Sequence, residues 1–391
     1  MTPSSAMTER DRFLATLRHE KPDRVPFAPG GGRRSTLDAW HRQGLPPDVR
    51  DYHQYVRTLI GMPAEPARER IQPDVCFTMI PEFQEKVLEH RPARANAPRS
   101  AAGTMIVQDW KGNVCEIADI FSPADLRGAP DFVTRTWIRC PVQTRADWHD
   151  MARRYHVDQP GRFPADFPQR CAALKHRTYP AGLTISGPFW QLREWLGFEN
   201  LCMLLLDDPD FAHEMIDFWC RFVASMLERI FEQFVPDFLT FNEDMAYKQR
   251  SMISPAMCRT FLLPCWSHWT TLSRDAGVPV LEVDSDGCVA DLIPVWIDAG
   301  FNTTSPMEVA AGNDLPALRQ QHETRMAYRG GVDKRCIAVG GEAIDREIER
   351  LQPAIDAGGY IPGCDHGVPS DVSWPNYVRY CRLLARATRW L

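Results

Sequence analysis

Short apolar runs that end in glycine or polar clusters recur along this chain, with amphipathic stretches between them. Eight runs predict strands: RVPFAPG (24–30), DVCFTMI (74–80), LTISGPF (183–189), DFLTFNED (237–244), VPVLEVDSDG (278–287), FNTTSPME (301–308), MAYRGGVDK (326–334) and GGYIPGCDH (358–366). Helical periodicity fills the intervals, in AMTERDRFLATLRHE before the first run and later in NLCMLLLDDPDFAHEMIDFWCRFVASMLERIFEQF, SPAMCRTFLLPCWSHWTTLSRDAG, VADLIPVWIDAG, DLPALRQQHET and EAIDREIERLQPAIDAGG. Ser254-Pro255 reads as a helix start, and Gly277, Gly300 and Gly358 fall just past helix ends. Strands alternating with helices imply a parallel sheet, and eight of them favour a closed (β/α)8 TIM barrel over an open doubly wound sheet. The alternation fails between about residues 81 and 180. There TMIVQDWKGNVCEIADIF predicts a hairpin turning at Lys111-Gly112-Asn113, and the remainder is proline-rich. The expectation is an α/β chain of one domain, 1–391, with an N-terminal helical extension and an insertion over the barrel mouth.

Composition narrows the function classes. The 391 residues are 44% hydrophobic and 25% charged with a net charge of -6, which suits a globular protein and lacks the basic excess of a nucleic-acid binder. The N-terminus is charged where a signal peptide needs an apolar core, and no apolar run is long enough to span a membrane, so a cytoplasmic location is expected. Twelve cysteines without a CxxC pair then read as reduced thiols, so that a metal site must be assembled from distant segments.

In a TIM barrel the chemistry sits where strands end. Those ends would concentrate Glu243, Asp244, Asp284, Asp286, Cys288, Glu308, Asp333, Lys334, Cys364, Asp365 and His366 at one mouth. Asp284 and Asp286, two apart, share a strand face and repel one another, so a cation is needed among them unless one is protonated; the alternative is that they cap the next helix. A metal would find ligands in Asp284, Asp286, Cys364 and His366, whereas in the alternative Cys364 is a buried small residue and His366 an ordinary hydrogen-bonding group. Glu243 shares parity with Leu239 and Phe241 and is expected inside the barrel, beside Asp244 outside it. Asp333 and Lys334 are expected to pair with each other. PGGGRR (29–34) has neither a Walker pattern nor GxGxxG, although Arg33 and Arg34 could meet a carboxylate ligand. Phe189, Trp190, Trp195, Phe198 and Tyr247 would suit an apolar or aryl substrate.

The segments RDRFLATLRHEKPDRVPF, DWKGNVCE, FNEDMAYK, VDSDG and GGYIPGCDHGVPSDVSWPNYVRY together resemble the uroporphyrinogen decarboxylase superfamily. That superfamily also holds zinc-dependent methyltransferases that pass methyl groups to or from corrinoid proteins. The decarboxylases carry an arginine loop of the form MRQAGR where this chain has FAPGGGRR. The methyltransferases carry His-x-Cys-Gly where this chain has Asp284-Ser285-Asp286-Gly287, and a later Pro-Gly-Cys that Pro362-Gly363-Cys364 matches. The resemblance implies a barrel of the same fold and methyl transfer from a small methylated donor, such as an aryl methyl ether, to cobalamin on a partner corrinoid protein. It implies Zn2+ at Asp284, Asp286, Cys364 and His366, catalysis by Glu243, His366 and Asp286, substrate contacts from Arg33, Arg34, Phe189, Trp190 and Tyr247, and a homodimer. The alternatives are a metal-independent carboxy-lyase that grips carboxylates with Arg33, Arg34 or Arg193, and a barrel that binds its ligand without turnover.

Overall fold

The structure is a computed structural model that describes residues 7–63, 70–92, 103–128 and 133–391. It divides into two compact units. One comprises the described parts of Met1–Pro73 with Asp166–Ser186 and Arg229–Leu391, and the other Asp74–Ala165 with Gly187–Glu228.

The second unit carries strands β1 (Lys86–Arg91), β2 (Thr104–Gln108), β3 (Val114–Ala118) and β4 (Arg135–Arg139), antiparallel and adjacent in that order. β2 and β3 are the expected hairpin, with Gln108 opposite Val114. Gly112 takes φ +87° in the turn, and the Asp109 carboxylate accepts the N–H groups of Lys111 and Asn113 at 2.9 and 2.8 Å. Alternating Met105 and Val107 on β2 and Cys115 and Ile117 on β3 build a small core with Val133. β1 escapes sequence detection because all six of its residues are exposed, so KVLEHR has no apolar face to show.

The first unit is built on a six-stranded parallel sheet of β5 (Gly182–Ser186), β6 (Phe238–Asn242), β7 (Val280–Asp284), β8 (Thr303–Ser305), β9 (Ala327–Val332) and β10 (Tyr360–Cys364), neighbours in chain order. These are six of the eight expected strands. Among the described residues they do not close into an eight-stranded barrel. Residues 24–30 form no ladder strand. Pro26 and Pro29 lack N–H donors, and Gly30 turns to φ +86°. The segment lies beside the end of β10 all the same, where Pro29 and Gly31 carbonyls accept the N–H groups of Cys364 and Val368 at 3.3 and 2.9 Å. Residues 74–80 belong to the other unit and form no strand, since Cys76 and Ile80 donate to the carbonyls of Arg162 and Arg154 in irregular backbone.

The two faces of the parallel sheet differ in chemistry. Leu239, Phe241, Leu281, Val283, Tyr328 and Tyr360 are fully buried, and Phe241 stacks on Trp269 of the helix Leu263–Asp275 at 5.2 Å between centroids. The other face carries Phe238, Thr240, Val280, Glu282, Asp284, Ala327 and Arg329. At its amino end it is covered by the helix Glu9–Leu17, whose Phe13, Leu14 and Leu17 pack with Phe238, Val280, Ala327 and Ile361. This is the expected N-terminal helix. It begins at a capping box in which Thr8 and Asp11 exchange hydrogen bonds.

Candidate active site

The polar face of the sheet owes its character to period-two alternation. On β7 that places Glu282 and Asp284 one above the other, with Thr240 of β6 on one side and Arg329 of β9 on the other. Glu282 is 1% exposed, and its carboxylate accepts from Thr240 Oγ1 at 2.6 Å and from Arg329 Nη1 at 2.9 and 3.0 Å. A buried carboxylate needs such partners, and here they also hold a guanidinium that keeps 37% of its side chain exposed. Just above, burial, then the charges of Glu282 and Asp286, push the Asp284 carboxyl up to about 7. Asp284 therefore takes up and releases its proton near neutral pH.

Arg329 opens on a cavity of about 470 Å3 at the carboxyl ends of β8, β9 and β10. Its walls include Arg57, His53, Ser305, Ile361 and Cys364, with the backbone of Gly30, Gly31, Gly330 and Gly363. The glycine-rich loop is explained by this packing. A Cβ on Gly30 would meet the Cβ of Cys364 at 2.9 Å, and one on Gly330 would strike the carbonyl of Pro306. Tyr377 and Tyr380 of the helix Trp374–Ala387 hold the loop by donating to the carbonyls of Gly30 and Pro29 at 2.7 and 3.1 Å.

Beside this cavity a short relay crosses the strand ends. Arg33 Nη2 lies 3.3 Å from His366 Nδ1, and His366 Nε2 lies 3.2 Å from Asp286 Oδ2. Donation from Arg33 places the neutral ring's proton on Nε2, which donates it in a hydrogen bond to the Asp286 carboxylate. The Asp286 hydrogen bond raises the imidazole's pKa, against burial and the charges of Lys334 and Arg33. Asp365 is fully buried and structural: its carboxylate accepts the N–H groups of Val309 and Lys334 at 2.9 and 3.2 Å.

No family model matches the chain, and no curated protein does. Solved structures do. A methyltransferase from Methanosarcina mazei aligns over 98% of both chains at 14% identity, with a TM-score of 0.55. The two chains share a fold. A B12-independent methionine synthase from Shewanella sp. W3-18-1, solved with selenomethionine, aligns over 59% of this chain and 67% of its own at 12% identity, with a TM-score of 0.37.

The expected site residues fall into three groups. Asp284, Asp286, Cys364, His366 and Arg33 gather at the strand ends of the first unit. Arg34 is exposed as the first residue of the helix Arg34–His41, and Tyr247 is 53% exposed on the loop after β6. Phe189 and Trp190 sit in the helix Pro188–Leu196 of the other unit, where Phe189 is buried and Trp190 carries Arg193 over its ring at 4.2 Å.

Three expectations are corrected. Glu243 does not face the polar side of the sheet but the helix layer, fully buried, accepting from Trp266 Nε1 at 2.5 Å. Its partners in parity, Leu239 and Phe241, are outward residues, because the inner face of this sheet is polar and the apolar packing is with the helices. Asp333 and Lys334 do not pair with each other: Asp333 binds Arg335 at 2.7 Å and Lys334 reaches Glu308 at 3.0 Å. Nor do Asp284 and Asp286 cap a helix, as the next one starts only at Ile293.

The four expected metal ligands do not fit a zinc ion as they stand. Zinc wants about three donors converging within roughly 2.0–2.3 Å of one point. Among the described residues no group of three or more His, Cys, Asp and Glu side chains is placed to hold a metal. The Arg33 guanidinium already occupies one nitrogen of His366, and Asp286 the other.

Sequence reasoning missed Arg329, Glu282, Arg57 and His53. The signal for the first two was present, since Glu282 stands in LEVD and Arg329 in AYRGG, each a charge inside an apolar strand. A charge that cannot be left unpaired there predicts a partner across the sheet.

Proposed function

We propose that this chain is a methyltransferase of the uroporphyrinogen decarboxylase type, acting on a small methylated organic acid bound in the cavity at the carboxyl ends of β8–β10. The observation that carries the substrate class is Arg329, held by buried Glu282 with its guanidinium open to the cavity. Arg57 adds a second cation to the wall. Methyl transfer draws its support from the fold shared with the M. mazei methyltransferase along the whole chain. In this reading the six-stranded sheet is part of a (β/α)8 barrel, with residues 24–32 beside β10 as its first stave.

The substrate's carboxylate pairs with the Arg329 guanidinium, which fixes the methyl-bearing end toward the strand termini. We assign proton delivery to Asp284, which is paired in register with Ser305 of the cavity wall: in its protonated form it hands a proton to the oxygen that loses the methyl group, and the Arg33–His366–Asp286 relay holds a second proton. A corrinoid protein is the proposed partner and supplies the cobalt acceptor for the methyl group. No step is assigned to zinc, because the donor set does not fit it.

A second reading, a carboxy-lyase, is favoured by the Asp284 carboxyl at about 7 beside a cationic cavity. Arg329 would then hold one carboxylate while Asp284 protonates the carbon that loses CO2.

One assay separates the two. The protein is incubated with methoxybenzoates and with aromatic dicarboxylates, each with and without cob(I)alamin, while methylcobalamin absorbance and headspace CO2 are followed. Methylcobalamin formed without CO2, with a raised KM in Arg329→Gln, supports methyl transfer. CO2 released without corrinoid moves the assignment to the lyase. Binding of these acids with neither product leaves a ligand-binding protein and rejects both.

A further inference from the structure

At the opposite end of the sheet, where β6 and β7 begin, a second cavity of about 380 Å3 lies along the helix Glu9–Leu17. Its lining carries four cationic side chains, Arg10, Arg18, Lys175 and Arg177, against two carboxylates, Glu232 and Asp237. That excess stands out on a chain whose net charge is -6. The deep part is tied: Asp237 is 1% exposed and accepts from Arg10 at 2.7 Å, from Arg177 at 2.6 and 2.7 Å, and from the Ala181 N–H at 3.0 Å. This knot joins the N-terminal helix, the approach to β5 and the start of β6 in one rigid frame. Arg18 and Lys175 are different. Both are exposed at the rim, and among the described residues neither side chain has a carboxylate partner. Leu14, Phe231, Phe234 and Pro279 add apolar wall.

We propose that this cavity is a binding site for a small organic anion, one with a phosphate or carboxylate head for Arg18 and Lys175 and an apolar body for the wall. The volume suits a small molecule and not a polymer, and a cavity of fixed floor with free cations at its rim orders only two side chains on binding. Because it opens at the amino ends of the strands, its ligand does not compete with a molecule held by Arg329. The site is independent of the catalytic reading.

Calorimetric titration of the full chain with phenyl phosphate tests it, beside an Arg18→Glu/Lys175→Glu double variant and Arg329→Gln. Both rim residues are exposed, so the double variant should keep the parent's circular dichroism. The expected result is saturable binding to the parent and to Arg329→Gln, weakened about tenfold or more in the double variant and by added salt. Absence of saturable binding to the parent overturns the proposal. So does binding that survives in the double variant and disappears in Arg329→Gln, which would put the ligand in the other cavity.

Discussion

Arg329 and Asp284 share a buried neighbour, Glu282, which holds the first by hydrogen bonds and adds its charge to the burial that raises the second. Exchanging Arg329 for Gln removes a charge from the cavity and leaves Glu282 with one partner fewer. We expect the KM for an acidic substrate to rise by about tenfold or more, with a smaller effect on kcat, because a charge-assisted bond to the bound acid is lost in ground and transition state alike. Steady-state kinetics on the acid and its methyl ester checks this, since the ester should be nearly indifferent. Asp284 makes a prediction in pH. Its folded pKa is raised to about 7 from 3.8, so its contribution is most favourable below about pH 4 and is lost as pH rises through 7. Asp284→Asn should therefore be more stable than the parent at pH 8, by on the order of 4 kcal/mol, and match it near pH 4. Thermal melts at the two pH values decide it, and a parent that gains stability relative to the variant on going from pH 5 to pH 8 would contradict the raised pKa.

At the scale of elements, the helix Glu9–Leu17 and the glycine loop set the two ends of the sheet's polar face. Phe13 is buried among Phe238, Val280, Ala327 and Ile361, so Phe13→Ala should cost about 3 kcal/mol of stability, measured by denaturant unfolding of the parent and variant. Gly30→Ala asks a side chain to take φ +86° and to press on Cys364. It should lower stability by about 1–3 kcal/mol and weaken ligand binding in the adjoining cavity, both seen in a melt with and without ligand. Six strands were legible because each is an apolar run closed by a turn signal. Residues 24–30 look the same on paper, but proline and glycine there prevent a ladder while leaving the chain beside β10. The helices Arg34–His41, Tyr52–Ile60 and Trp374–Ala387 are additional to those expected from the sequence, although Ser373 caps the last by accepting from the Asn376 N–H. The parity of Glu243 misled for a physical reason. Apolar residues on a sheet covered by helices mark the helix side, and here the polar residues mark the inner one.

For the molecule as a whole, Asp286 and His366, two of the residues quoted for the family resemblance, meet at the strand ends in a hydrogen-bonded relay with Arg33 and not in a ligand cluster. Elemental analysis of the purified chain should accordingly find no zinc that depends on Cys364, with the same metal content in the parent and in Cys364→Ala. About one zinc per chain, lost in the variant, would mean that the strand ends rearrange around an ion. No helix among the described residues is long and apolar enough to cross a membrane. Spacing could not reveal which charges serve the cavity, since Arg57 lies in a helix far along the chain from Arg329 and only packing brings them to one wall. The tyrosine hydroxyls of the last helix carry a further consequence. Tyr377 and Tyr380 grip the carbonyls of a loop some 350 positions earlier, so the shape of the cavity wall at Pro29 and Gly30 depends on a helix that is far away in the sequence and lines none of it.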